Sequence, residues 1–174
     1  MPKISTQMLT RMALLIALNI ILARMISIHI PFGGVEVLRI GFGPLPVIFA
    51  GIFMGPLAGG IVGAIGDFCG YFINSAGGAY MPLLTVNAAL RGVAPGIVAL
   101  LFSKGKRQTG LFPLFLAVFC TLILTDVFLL PYLLELFFGL SRVITLPPRI
   151  IQNAVTIPVY TAILYSLDRR IIKN

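Results

Sequence analysis

Three groups of polar residues stand where their neighbours give them no support. In "GIVGAIGDFCGYF", residues 60–72, Asp67 lies among glycine, isoleucine and phenylalanine with no cation nearby in sequence. In "LLTVNAALRGV", Asn87 and Arg91 are four apart and so share one helix face. In "LPPRIIQNAVT", Arg149, Gln152, Asn153 and Thr156 recur at the same helical period. A carboxylate, amides and guanidiniums together can hold a polar, anionic solute. Binding fits them better than bond-making. The chain carries no Walker A loop, HExxH or GxSxG motif, and its single histidine, His29, makes weak catalytic machinery beside an isolated aspartate.

The elements that must position these groups are apolar. Of 174 residues, 59% are hydrophobic and 10% charged, and the mean hydropathy is +1.05, far above that of soluble domains. Apolar runs bounded by Gly, Pro or charge cover Met8 to Ile28, Ile40 to Met54, Leu57 to Ile73, Pro82 to Phe102, Leu111 to Phe138 and Pro148 to Leu167. The fold class expected is all-α: an integral membrane bundle of six transmembrane helices, forming a single membrane domain over residues 1–174. The second and third runs fall short of the ~20 residues that a spanning helix needs, and short, interrupted segments point to a site at mid-membrane depth. Pro131 is expected to kink the long fifth run. Residues 1–23 have the outline of a signal peptide, but a retained first helix is expected, since no soluble domain follows for export.

The net charge of +8 does not indicate nucleic acid, because the basic residues form no stripe and no nucleic-acid motif. Topology explains them: with both termini cytoplasmic, Lys3, Arg11, the loop "KGKR" and Arg169, Arg170 and Lys173 all lie inside. Cys69 and Cys120 have no spacing for zinc or a redox pair and read as small hydrophobes. No metal or other cofactor is expected.

An intramembrane charge costs about 2.5 to 3.5 kcal/mol on insertion scales and marks a functional site by default. Counted from the outer loop between them, Asp67 and Arg91 fall ~10 and ~14 Å deep on consecutive antiparallel helices, so the two are expected to see each other. Gly59, Gly63, Gly66 and Gly70 make a small-residue face that brings a neighbouring helix close and turns Asp67 into the bundle, with Tyr71 one turn outward. Arg24, Arg39 and Arg142 ring the mouth as a funnel for an anion. Blander readings stay open beside these: Asp67 and Arg91 locking two helices, Glu135 as the local partner of Arg142, Asp126 with Thr121 and Thr125 as a structural hydrogen-bonding cluster, and Tyr80 and Phe32 as interface anchors.

These residues carry a resemblance to a family. The stretch "LRIGFGPLPVIFAGIFMGPLAGGIVGAIGDF" and the helix start "LPPRIIQNAVTIPVYTAILY" resemble the S components of energy-coupling factor transporters, six-helix vitamin-capture subunits, and among them the folate family. The resemblance covers essentially the whole chain. It implies a bacterial membrane protein that captures a vitamin from outside and passes it through a shared transmembrane (T) subunit driven by two cytoplasmic ABC ATPases, with no catalysis of its own. Ala13 and Ala17 resemble the AxxxA contact such subunits present to that partner. For folate, Asp67 and Asn87 would read polar edges of the heterocycle, Arg39, Arg91 and Arg149 would balance the carboxylates beside Asn153, and Tyr71 and Tyr80 would supply stacking surface. Riboflavin, thiamine, pantothenate or a queuosine-type precursor would suit the same fold, and a cell-envelope scaffold shares the helix count.

Overall fold

The structure is a computed structural model that describes residues 5–24, 28–32, 35–73, 80–103 and 110–173, with the backbone alone for residues 24, 28–40, 103 and 171–173. Helix α1 (Thr6–Arg24) leads into a hairpin of β1 (Ile28–Phe32) and β2 (Val35–Ile40), then α2 (Pro44–Met54), α3 (Pro56–Ile73) and α4 (Pro82–Ser103). A continuous rod follows, made of α5 (Leu111–Leu122), a π-helical turn at Ile123–Leu129 and α6 (Leu130–Phe138), and α7 (Arg142–Lys173) closes the bundle. Five of these rods are long and apolar enough to cross a membrane, and α2 is a shorter sixth. The six-helix expectation therefore stands.

The hairpin was not expected, since the helical reading ran the first helix to Ile28 and began the second at Ile40. Its strands pair Ile28 with Ile40, His29 with Arg39 and Phe32 with Val35, with an irregularity between Ile30 and Pro31. Removing those residues leaves α2 with 11, a rod of roughly 16 Å. A single residue, Gly55, joins α2 to α3 at φ +100°, a backbone conformation open to glycine and strained for other residues.

Small residues set the central crossing. A Cβ added to Gly92 of α4 would collide with the backbone of Gly59 on α3, and one added to Gly63 would meet the carbonyl of Ala88. Gly51 of α2 presses on Gly92 in the same way, so three helices approach backbone to backbone. The glycine face serves more than one neighbour, because Gly66 packs against Asn19 of α1. Helix α2 sits centrally: Val47 and Ala50 pack with Met12, Ala58 and Val62, while Ile48 packs with Leu114, Val118, Leu122, Ile157 and Leu164. Leu57, Leu101, Phe112 and Phe128 are exposed, as suits side chains that face lipid.

Candidate functional site

The α3–α4 register decides which charges meet. Gly59 lies against Gly92 and Gly63 against Ala88, so Asp67 falls level with Thr85, and Arg91 lies six residues further down α4, about 9 Å deeper. Asp67 and Arg91 are consequently apart, which corrects the expectation that they see each other. Counting from the loop placed them at similar depth because it assumed that both helices emerge level. They do not.

Arg91 pairs instead with Asp126 of the π-helical turn, and its Nε reaches Thr125 Oγ1 at 3.5 Å. The carboxylate expected to belong to a structural cluster is thus the counter-ion of an expected binding residue. Thr121 and Thr125 donate to carbonyls one turn back, at 2.7 and 2.9 Å. Arg149 of α7 is buried, with 6% of its surface exposed, and the charges of both Asp126 and Arg91 act on it. Arg91, Asp126 and Arg149 therefore share this interior.

Asn87 and Asn153, at 4% and 3% exposed, are the amides on the same faces of α4 and α7. Among the described residues, Asn87 Oδ1 and Asn153 Nδ2 are buried without a hydrogen-bond partner. Such orphan atoms cost about 1 to 3 kcal/mol each. Thr156, grouped with them by spacing, donates to the carbonyl of Gln152 at 2.8 Å and so serves its own helix. Tyr160, one turn further on, donates to the carbonyl of Gly41 at 2.6 Å and ties α7 to the segment between β2 and α2.

A second group lies where α3 ends and α4 begins. Thr85 Oγ1 donates to Asp67 Oδ2 at 2.8 Å and lies 2.9 Å from the hydroxyl of Tyr80. The ring of Tyr80 touches those of Tyr71 and Phe68, with centroids 5.2 and 5.5 Å apart. Rings in such contact form one wall with no slot between them. Among the described residues no cation lies in salt-bridge range of Asp67.

At the same end Arg142 pairs with Glu135, as expected, and lies 5.0 Å from the ring centre of Tyr132. Arg39 is placed in β2, but its side chain, like that of Arg24, lies outside the described residues. Ala13 and Ala17 lie exposed on α1. Asn19, on the opposite side, donates to the carbonyl of Gly43 at 2.7 Å. The spacing argument missed Thr85, Tyr160 and Asn19. Only the isolated polar side chain of Asn19 within an apolar helix gave a signal.

The family model for the ECF transporter, substrate-specific component, matches residues 7–167. The chain belongs to that family. It is therefore a membrane-embedded, multi-pass substrate-binding component of a transporter rather than an enzyme. The folate transporter FolT of Clostridium novyi (strain NT) is 31% identical over 94% of this chain and 91% of its own length. Among solved structures, FolT bound with folic acid superposes with a TM-score of 0.77 at 26% identity, covering 95% of this chain and 94% of the other. The S component of a bacterial ECF transporter superposes at 0.67 with 25% identity, covering 95% of each. Membership places this S component among transport subunits rather than envelope scaffolds.

Proposed function

We propose that this S component binds folate at the outer side of a bacterial membrane and delivers it through a shared T subunit coupled to two cytoplasmic ABC ATPases. The observation that carries the substrate is the pair of guanidiniums, Arg91 and Arg149, held with Asp126 in the bundle interior, in a chain similar to FolT. An anionic group completes that cluster, and a carboxylate on arginine forms strong, charge-assisted hydrogen bonds. Folate supplies two carboxylates on its glutamate and an amino-pyrimidinone edge rich in N–H donors. Asn87 and Asn153 each hold a buried amide atom for a polar ligand to satisfy, Asp67 accepts N–H groups, and Tyr71 and Tyr80 give an aromatic wall. Arg39 takes a place at the mouth as a further cation. In this topology both termini are cytoplasmic and residues 1–174 act as one membrane domain.

Calorimetry on the purified subunit in detergent tests the substrate. Folate is expected to bind tightly, while riboflavin, thiamine, pantothenate and a queuosine precursor leave the thermal midpoint unchanged. A ligand that binds only the folded state raises that midpoint. Folded protein that ignores folate but responds to another vitamin overturns the folate assignment.

A further inference from the structure

The hydroxyl of Thr85 stands between two groups of the second cluster, 2.8 Å from Asp67 Oδ2 and 2.9 Å from the Tyr80 hydroxyl. A threonine has one proton to give, and an ionised carboxylate can only accept. Thr85 therefore donates to Asp67, which obliges Tyr80 to donate to Thr85. The relay runs one way, from phenol to hydroxyl to carboxylate. What it leaves for a newcomer is all of one kind: the second oxygen of Asp67 and the oxygen of Tyr80, both acceptors.

We propose that Thr85 is a specificity-determining, positioning residue, which fixes the polarity of this relay so that it takes a ligand edge carrying N–H donors and turns away an edge that lacks them. The claim rests on the folate reading and goes beyond it, because it assigns the donor edge of the heterocycle to Asp67 through a residue that need not touch the ligand. Asp67, Thr85 and Tyr80 are each half-buried, so the edge of the relay is open to a solute while its centre is shielded. Phe68 and Tyr71 hold the ring of Tyr80 from two sides, and the hydroxyl bond fixes its remaining freedom. Losing the Thr85 proton frees both the carboxylate and the ring.

The test compares folate with an analogue carrying a methyl group in place of the 2-amino group, by calorimetry on wild type, Thr85→Ser and Thr85→Val. Wild type is expected to prefer folate by about tenfold or more, as for a hydrogen bond to a charged group. Thr85→Ser keeps the proton and should hold that preference within about threefold, whereas Thr85→Val should lose about tenfold of it. A helix that merely needed Thr85 for packing would bind both ligands less well in equal measure. Equal binding of the two ligands by wild type, or an intact preference in Thr85→Val, overturns the inference while leaving folate as the substrate. Wild type that binds neither ligand overturns the folate reading itself. If Thr85→Val does not fold, Asp67→Asn decides the matter on the same ligand pair: a lost preference supports the relay and an intact one overturns it.

Discussion

Burial takes the Arg149 guanidinium largely out of water, at a cost that exchange for a hydrophobe of similar size removes, whereas Asp126 is the counter-ion of Arg91. Removing either sign should act in opposite directions on folding. Arg149→Met keeps the apolar stem and takes away a cation; the ligand-free protein is expected to melt at the same temperature or higher, while folate affinity falls by about 10- to 100-fold. Asp126→Asn takes the carboxylate from Arg91, and breaking a buried pair costs about 3 to 5 kcal/mol, so the unliganded midpoint should drop by several degrees. Thermal unfolding in detergent with and without folate checks both, and a larger loss in Arg149→Met than in Asp126→Asn contradicts the charge argument. Spacing made the shared faces of Asn87 with Arg91 and Arg149 with Asn153 legible in sequence. It could not say which helix each face meets, so Asp126 was read as a structural residue. Hydroxyls were harder still: Thr121, Thr125, Thr156 and Thr161 bond their own helices, and nothing in sequence separates Thr85 from them.

At the scale of elements, the α3–α4 crossing sets the depth of every group in the site, because it fixes the register between Asp67 and Arg91. Gly92→Val adds a branched side chain where a single Cβ already meets the backbone of Gly59. Overpacking of that kind costs about 1 to 3 kcal/mol, and more where backbone must move. The variant is expected to melt several degrees lower and to bind folate more weakly even in its folded fraction, measured by thermal unfolding and calorimetry; wild-type values in both show that the crossing tolerates spreading. The glycine spacing announced this close approach in advance. The hairpin was legible too, since "IHIPF" and "VEVLRI" alternate around a Gly-Gly pair, but their isoleucines also extended the neighbouring apolar runs. Pro131 signalled an irregularity in the fifth rod, realised as a wider turn in which the N–H of Leu130 bonds the carbonyl of Thr125, five residues back. Helix α7 begins at Arg142 and runs through Pro147 and Pro148, where the prolines had marked its start. Burial of Thr145 in the bundle overrides the local preference.

Over the whole molecule, hydropathy made the membrane class legible, while the face offered to other subunits depends on which side of α1 is turned away from the bundle. Met12 and Asn19 are buried and Ala13 and Ala17 exposed, so the small pair looks away from the bundle. Enlarging both, Ala13→Leu with Ala17→Leu, is expected to leave folate binding by the isolated subunit unchanged and to abolish co-purification with the T subunit and uptake by cells. Normal uptake removes these alanines from the docking face.

Helix α2 has a further consequence for the interior. A rod of 11 residues reaches only about half of a hydrocarbon layer ~30 Å thick, and none of its residues is exposed. Backbone that stops short of the full thickness is tolerated where protein walls it off from lipid. The bundle thereby keeps irregular main chain at its heart, with polar peptide groups available where a spanning helix would have locked them into its own ladder.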